Sequence, residues 1–325
     1  MNVLLSSAGR QVFLVNEFKK VLKDIGQVYV TDVNPAAASL KVADKSFIAP
    51  AYTSKDYLSW IIDICKINEV SLLISLNVEE LLILESHRSI FLSFGCFLMG
   101  GEVHLIDSTY DKLKLNTLCK TFEILTPEIY NENDISSFDF NIFPLIAKPR
   151  LGKGSRGNVL LSNKKEFMAF FENKNKQIEK MPYIYQEYID GVEYGIDIVN
   201  NFEKSFSSAL VREKISMKNG ETFEVSTKSN IDWINIARKI SAMVLHQGIV
   251  DVDIIVKGKK KYLLDVNHRF GGGYIFSHFA GANLPNTFVN WIIKKEINEE
   301  WLNPKPELHL IRNEFGTVEL YNKNE

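Results

Sequence analysis

Residues 248–273 read GIVDVDIIVKGKKKYLLDVNHRFGGG, and this stretch decides the fold. Two apolar runs flank a short turn rich in glycine and lysine, a pattern that predicts a β-hairpin. If residues 258–260 form a three-residue loop, Asp253 falls directly opposite Asp265. Two like charges that face each other across a strand pair destabilise it. This hairpin therefore needs a positively charged partner that offsets their repulsion.

A divalent cation is such a partner. Asn267 shares a face with Asp265, because side chains two residues apart in a strand point to the same side. Two carboxylates and an amide oxygen form the hard oxygen site that suits Mg²⁺, which keeps other positions for phosphate oxygens and water. The hairpin therefore predicts Asp253, Asp265 and Asn267 as metal ligands. The alternative is a solvated face, on which the acids pair with lysines of the turn, Lys257, Lys259 or Lys261.

Arg269 lies on the same face two residues further on, and a triple glycine, 271–273, follows it. A guanidinium can brace a charged phosphoryl group during its transfer, which makes Arg269 a candidate catalytic residue. Consecutive glycines let the backbone approach a bound ligand closely, although the same run could be a plain hinge.

A second glycine-rich loop, residues 152–158 (GKGSRGN), lies between two predicted strands. Rossmann turns and P-loops need a helix here, because its N-terminal amides bind the phosphate. A strand–loop–strand arrangement instead predicts a flap whose backbone N–H groups close over a triphosphate, as in protein kinases. The chain contains no HRD or DFG segment, which excludes a protein kinase. Lys148, on the entering strand, extends toward the same phosphates; the alternative is a tight glycine-rich hairpin.

The composition excludes several classes of function. The 325 residues carry 38 Lys and Arg against 40 Asp and Glu, so no excess basic charge is available for nucleic acid. Apolar stretches fall far short of the ~20 residues of a membrane span, and the start lacks the pattern of a signal peptide. Three cysteines without CxxC spacing argue against a disulfide framework or a zinc site. We expect a cytoplasmic protein of two or three domains.

The first hundred residues alternate short apolar strands with amphipathic helices, which predicts a parallel sheet covered on both faces. The loop 6–10 and Asp32 have the layout of a dinucleotide-binding half, but only one of three required glycines is present. We therefore favour a Rossmann-like domain that has lost its nucleotide over a domain that binds NAD. Further helices are predicted at 107–118 and 233–245, and paired strands dominate after residue 144.

The chain resembles the ATP-grasp superfamily, specifically the branch similar to the carbamoyl-phosphate-synthase large subunit, over nearly its whole length. The resemblance is carried by Asp111-Lys112, Ile146-Ala147-Lys148-Pro149, the flap, Tyr185-Gln186-Glu187-Tyr188-Ile189, Gly191-Val192-Glu193 and Asp265-Val266-Asn267-His268-Arg269-Phe270-Gly271-Gly272. Each motif is loose alone, but their order and spacing are specific. The implied fold combines α/β and α+β parts: a Rossmann-like pre-ATP-grasp domain (1–106), an ATP-grasp small lobe with the flap (107–188) and a large lobe with the Mg/ATP site (189–325).

The resemblance also implies roles for the matching residues. Nucleotide-binding positions are Lys112, Lys148, Gly152, Gly154, Ser155, Arg156, Gly157, Gln186, Glu187, Tyr188, Ile189, Glu193 and Lys214. Within this set the two lysines at 112 and 148 contact nucleotide and phosphates, residues 186–189 hold the adenine, and Glu193 binds the ribose hydroxyls. Arg212 and Lys214 are further candidate phosphate contacts. Arg269 and Lys148 match the catalytic positions, and Asp253, Asp265 and Asn267 match the Mg²⁺ ligands, where relatives often have glutamate at the acid positions.

The implied reaction is phosphorylation of a carboxylate by ATP, which gives an acyl phosphate and ADP, followed by attack of an amine that forms an amide and releases phosphate. The implied cofactors are ATP and two Mg²⁺ ions, with Mn²⁺ as a substitute, and the partners are small-molecule substrates and a second copy in a homodimer. Two alternatives stay open: a kinase that stops at an acyl or carbamoyl phosphate, and a regulatory module that binds ATP without turnover.

Three residues keep two interpretations each. Glu79 and Glu80 follow a predicted strand, at the end where open α/β sheets bind ligands, so they either bind an acceptor amine or simply begin a helix. His278, close to the triple glycine, either contacts substrate or is structural. The sequence leaves the identities of the carboxylate and the amine open.

Overall fold

A computed structural model describes residues 1–130, 142–152, 157–175, 182–218, 220–313 and 317–321. None of the helices in these ranges is both long and apolar enough to cross a membrane.

The amino-terminal part contains five strands, with helices between and after them. The strands are β1 (Asn2–Ser6), β2 (Gln27–Asp32), β3 (Lys45–Ile48), β4 (Val70–Ser75) and β5 (Phe97–Met99). The helices are α1 (Val12–Leu22), α2 (Tyr57–Ile67), α3 (Val78–Glu85), α4 (Arg88–Ser93), α5 (Val103–Tyr110) and α6 (Lys112–Thr121). The sheet is parallel in the order β3-β2-β1-β4-β5. Val3, Leu4 and Leu5 are all fully buried, because both faces of the sheet are covered. The predicted parallel sheet is confirmed.

A small antiparallel sheet follows. Its strands are β6 (Ile129–Tyr130), β7 (Leu145–Pro149), β8 (Val159–Leu161) and β9 (Tyr183–Glu187), in the order β6-β9-β7-β8, and helix α7 (Lys164–Asn175) accompanies them. Leu145 and Ala147 belong to its apolar core with Phe167 of α7. Because strand side chains alternate, Ile146 and Lys148 point to the opposite face.

The large antiparallel sheet completes the fold. Its strands are β10 (Val192–Asn200), β11 (Phe206–Lys218), β12 (Glu221–Lys228), β13 (Gly248–Lys257), β14 (Lys260–Asn267), β15 (His309–Arg312) and β16 (Val318–Leu320). They lie in the order β14-β13-β10-β11-β12-β15-β16. Helices α8 (Ile234–Val244), α9 (Tyr274–Phe279) and α10 (Leu284–Ile292) accompany the sheet. Ile196 and Val252 face an apolar core shared with α8, so alternate residues carry the polar groups on the other face.

The parallel sheet and the large sheet share one apolar core. Phe18 of α1 contacts Phe270 edge-on, with ring centroids 6.4 Å apart, and Leu284 and Phe288 of α10 lie in the same cluster. Phe270 directly follows Arg269, so this core fixes the backbone at the end of β14.

The helix predicted at 107–118 is two helices. Asp111 has extended backbone angles, and its carboxylate accepts the backbone N–H groups of Leu113 and Lys114 as the cap of α6. The guanidinium of Arg150 also pairs with this carboxylate. The expected division at 106/107 falls inside α5, and the break at Asp111 places Lys112 at the first position of α6. The helix predicted at 233–245 is confirmed as α8 to within one residue at each end.

Candidate active site

A cleft of about 280 Å³ lies between the small sheet and the β13–β14 hairpin. The predicted site residues that line it are Lys112, Lys148, Gly152, Gln186, Glu187, Tyr188, Ile189, Glu193, Asp253 and Asp265. These residues come from four separate parts of the chain, and the fold brings them around one space.

Two lysines line the cleft, one from α6 and one from β7. The ammonium group of Lys148 donates a hydrogen bond of 2.7 Å to Oε1 of Gln186, and that of Lys112 donates to the carbonyl oxygen of Gly152 at 3.1 Å. Burial lowers the pKa of Lys148, although the negative charge of Asp265 opposes this shift. A buried cation whose hydrogen-bond acceptor is a neutral amide is well suited to bind an anionic ligand.

The segment 186–189 forms one wall of the cleft. The backbone N–H of Glu187 donates to the carbonyl of Glu128, and that of Tyr188 donates to the carbonyl of Pro144. These bonds fix the segment against the small sheet. Apolar side chains complete this part of the lining, Ile146, Ile255 and Leu264. The wall therefore offers a flat, apolar space next to a polar backbone.

The hairpin pairs Asp253 with Asp265 as the sequence predicts. The predicted three-residue loop is wrong, because Lys257 pairs with Lys260 and the turn has only two residues. A β-bulge at Leu264 adds one residue to β14. The extra residue offsets the shorter turn, so Asp253 still pairs with Asp265 as expected from a three-residue loop.

A lysine from a third strand neutralises one of the two facing acids. Lys214 of β11 forms ion pairs of 2.6 Å with both Asp253 and Glu193. Burial alone would lower the pKa of Lys214, but the two carboxylates raise it. A metal ion is therefore not needed to neutralise Asp253. The alternative pairing with turn lysines is wrong for this acid, since the lysine comes from another strand.

Asp265 is the less satisfied of the two acids. Its carboxylate accepts a hydrogen bond of 3.1 Å from the N–H of Val266, and burial raises its pKa, with Lys112 and Lys148 opposing the shift. No group of three or more His, Cys, Asp or Glu side chains suited to a metal occurs within the described ranges. Asp253, Asp265 and the amide of Asn267 nevertheless form a set of hard oxygen donors on one face, which fits Mg²⁺.

Other predicted residues lie apart from the cleft lining or outside the described residues. Gly154, Ser155 and Arg156 of the flap lie outside, while Gly157 is described, with φ +80°, and does not line the cleft. Asn267 is buried opposite Asp251, and Arg269 donates to the carbonyl of Phe270 at 2.8 Å. Neither residue lines the cleft.

Sequence reasoning missed a buried network beside this face. Arg212 donates to Asp197 and, at 2.6 Å, to Ser277, so its guanidinium is committed to the protein rather than to phosphate. Asp251 lies 3.7 Å from Arg212, and burial with the charges of Asp253 and Asp197 raises its pKa. A Cβ at Gly271 would lie 2.2 Å from the Asp251 side chain, so this position requires glycine. The alternation of Glu193, Gly195 and Asp197 along β10 is the signal that could have revealed the pair.

A family model described as an ATP-grasp domain matches residues 109–273, about half of the chain. The chain belongs to the ATP-grasp family. A second model, described as a PylC-like N-terminal domain, matches residues 3–99 of this ATP-grasp protein, which is the parallel sheet.

Curated relatives agree with the branch that the sequence predicts. The arginine-specific carbamoyl phosphate synthase large chain of Halalkalibacterium halodurans is 24% identical over 220 residues, which are 63% of this chain and 21% of that protein. The carbamoyl phosphate synthase large chain of a Thermoanaerobacter species is 22% identical over 218 residues. The chain spans about a fifth of the length of these relatives.

Solved structures show the same fold. An N5-carboxyaminoimidazole ribonucleotide synthetase, crystallised with ADP, has a TM-score of 0.74 at 13% identity and covers 96% of this chain and 81% of its own. The biotin carboxylase domain of Hydrogenobacter thermophilus 2-oxoglutarate carboxylase, crystallised with MgADP and bicarbonate, has a TM-score of 0.71 at 13% identity, covering 95% and 73%. An L-amino acid ligase from Bacillus licheniformis has a TM-score of 0.69 at 14% identity, covering 95% and 78%. The predicted fold is confirmed.

Proposed function

We propose that this protein is an ATP-dependent ligase that phosphorylates a small carboxylate to an acyl phosphate, couples it to an amine, and releases ADP and phosphate. The observation that carries the proposal is the convergence of Lys112, Lys148, Glu193, Asp253 and Asp265 around one cleft. Such an arrangement provides cations for a triphosphate, an acid for ribose hydroxyls and oxygen ligands for a divalent metal, which is what phosphoryl transfer requires.

In this proposal the nucleotide follows the length of the cleft. The adenine occupies the apolar space beside residues 186–189, and Glu193 accepts the ribose hydroxyls. Lys148 and Lys112 bind phosphate oxygens, and a bound phosphate would replace the amide of Gln186 as the partner of Lys148. The resemblance assigns the glycine-rich loop, whose residues 153–156 lie outside the described residues, to the phosphates, where exclusion of water would protect the acyl phosphate.

The metal would be held by Asp253, Asp265 and Asn267. When bound, Mg²⁺ neutralises phosphate charge and helps to align the phosphoryl group with its acceptor. Lys214, which pairs with Asp253, would then be released toward Glu193 or a phosphate oxygen. Arg269 lies in the bend after β14 rather than on the strand face that the sequence predicts, and in this proposal it braces the transferring phosphoryl group.

Several finer points stay part of the proposal. We propose the domain division 1–106, 107–188 and 189–325, two Mg²⁺ ions replaceable by Mn²⁺, and a homodimer. One neighbour, the biotin carboxylase domain, was crystallised as a dimer, and light scattering of this protein tests the same state here.

The test is a screen for ADP release across amino acids, dipeptides and sugar acids, each supplied with a panel of amines. A ligase releases ADP only when both substrates are present, or much faster with both. ATP binding without stimulated ADP release by any pair would contradict the proposal and favour a regulatory module.

A second candidate is a kinase that stops at the acyl phosphate. It is favoured by the curated relatives, which are named carbamoyl phosphate synthases. Hydroxylamine traps acyl phosphates as hydroxamates, so hydroxamate formation without an amine-dependent amide product would identify the kinase.

A further inference from the structure

The structure separates the roles of the two adjacent acids at the start of α3. Glu80 is only 2% exposed, and its carboxylate accepts hydrogen bonds from Ser6, Ser75 and Tyr57. These donors come from β1, β4 and α2, so Glu80 ties the layers of the parallel sheet together. Glu79 is half-buried and takes no part in this network.

Glu79 is held instead by two tyrosines. Its two carboxylate oxygens each accept one hydrogen bond of 2.8 Å, from the hydroxyls of Tyr52 and Tyr110. Its own backbone N–H donates to the side chain of Asn77, which caps α3. The carboxylate therefore has a fixed position at the carboxyl end of β4, the edge of an open sheet where ligands bind.

This position adjoins the end of β14. Tyr110 is the last residue of α5, and its neighbour Thr109 contacts His268 through Oγ1 and Nε2 at 2.8 Å in the buried interior. His268 lies between Asn267 and Arg269. Burial, the hydrogen bond to Glu79 and the charge of Asp265 all raise the pKa of Tyr110. Through Tyr110, Glu79 is thus linked to helix α5, which contacts the end of β14.

The carboxylate of Glu79 has unused hydrogen-bonding capacity. A carboxylate has about four lone-pair positions, and the tyrosine hydroxyls use two. Across the described ranges, Glu79 forms no ion pair with a lysine, arginine or histidine, unlike Glu85 on the same helix, which pairs with Arg88. A half-buried carboxylate held in place by neutral donors has the charge, and the free lone pairs, to bind a cation. The adjacent tyrosine rings suit the same ligand, because an ammonium group is attracted to aromatic faces.

We propose that Glu79, positioned by Tyr52 and Tyr110, binds an ammonium group of the acceptor amine. The ligand class is a primary ammonium compound, such as an amino acid or a short diamine. This inference rests on the proposed ligase function, because it assigns a subsite for one of its two substrates. It makes Glu79 a binding residue contributed by the parallel-sheet part, next to the helix that contacts the end of β14.

Glu79→Gln tests the subsite, because glutamine keeps the size and an oxygen for the tyrosines but removes the charge. Calorimetry with glycine, L-lysine and 1,3-diaminopropane, in the presence of MgADP, should show at least one amine that binds the wild type and binds the variant at least tenfold more weakly. Glu123→Gln removes one charge from an exposed acid paired with Lys239, and it should leave amine binding unchanged. Glu79→Asp should fall between wild type and Glu79→Gln, and it carries the test if the glutamine variant does not fold.

Turnover gives a second readout. In Glu79→Gln, the KM for the amine should rise at least tenfold while the KM for ATP and hydroxamate formation with hydroxylamine stay unchanged, because hydroxylamine is uncharged near neutral pH. Equal amine affinity in wild type and variant, or no binding of any of the three amines to the wild type, would overturn the inference. Failure of the ligase proposal has a different signature, namely neither ADP release nor hydroxamate from the wild type with any carboxylate.

Discussion

Arg212 and Lys214 lie two residues apart on the same face of β11, and each bridges two acids, yet their surroundings differ. The side chain of Arg212 is 3% exposed and that of its partner Asp197 is 0% exposed, with Ser277 completing the enclosure. The partners of Lys214 are 38% and 27% exposed and line the cleft. The same kind of ion pair therefore serves as scaffold in one place and as part of a binding site in the other.

The difference follows from what each cation can exchange. A buried pair whose hydrogen bonds are all made within the protein cannot release a partner without leaving an uncompensated charge in the interior. A lysine whose two carboxylate partners reach solvent can pass from one of them to a phosphate oxygen at little cost. Enclosure, rather than residue type, separates the two roles.

Arg212→Met should give the largest effect, because it leaves Asp197 buried without its cation. We expect a loss of about 3–5 kcal/mol in the free energy of unfolding, measured by urea denaturation. Lys214→Met is the matched control and should cost about 1 kcal/mol or less, since its partners reach solvent. Similar losses in the two variants would remove the distinction between scaffold and site.

Asp265→Asn tests the cleft, the solvent-accessible region of the comparison. The substitution removes a proposed metal ligand and one of the two facing charges, so Mg²⁺-dependent ADP release should fall at least ~100-fold, or about 3 kcal/mol in the activation barrier. The free energy of unfolding should stay close to that of the wild type, because the strain between facing acids is also relieved. Full activity in this variant would exclude Asp265 from the metal site.

The hairpin shows how far sequence reasoning reaches. The period of two places Asp265 and Asn267 on one face of β14, and no further information is needed for that step. The pairing of Asp253 with Asp265 came out correctly only because a shorter turn and the bulge at Leu264 offset each other. A bulge depends on how the flanking strands twist and pack, which the local sequence does not specify.

The partners of Lys214 depend on the order of strands in the sheet. Strand β10 lies between β11 and β13, and Lys214 reaches Asp253 across Gly195. A Cβ at Gly195 would lie 3.3 Å from the side chains of both Arg212 and Lys214, so the glycine leaves room for the crossing. A contact between non-adjacent strands through a missing side chain cannot be read from one sequence, whereas the motifs around Lys148 and residues 186–189 could be.

Two buried histidines predict that the stability of the fold depends on pH. His268 and His246 are buried with their Nδ1 atoms 3.0 Å apart. Thr109 donates its hydroxyl to backbone carbonyls and so accepts from Nε2–H of His268, which leaves Nδ1 of His268 to accept from His246. Burial lowers the pKa of His268 to about 3, and burial with the charges of His268, Arg88 and Lys204 lowers the pKa of His246 well below its usual value.

Both histidines are therefore neutral in the folded state and become protonated on unfolding at acid pH. Their contribution to stability is fully present above the unfolded pKa of ~6.5 and is lost as the pH falls below it. We expect each histidine to cost the fold about 2 kcal/mol between pH 7 and pH 5. In His268→Gln, urea denaturation across this range should show a shallower decline, and an unchanged slope would show that other groups control acid stability.

The smallest effect should come from Lys148→Ala, on the open side. Lys148 is buried but faces a neutral amide, so its removal leaves no unpaired charge and the fold should tolerate it better than Arg212→Met. The nucleotide, by contrast, loses a cation at its phosphates, and we expect roughly tenfold weaker binding of MgATP, about 1.4 kcal/mol, by calorimetry. Lys148→Met keeps the length of the side chain and should bind MgATP as weakly as the alanine variant if charge, rather than packing, provides the affinity. Unchanged affinity in both would mean that Lys148 belongs with Arg212 as a scaffold residue, and the boundary between the two regions would have to be drawn elsewhere along β7.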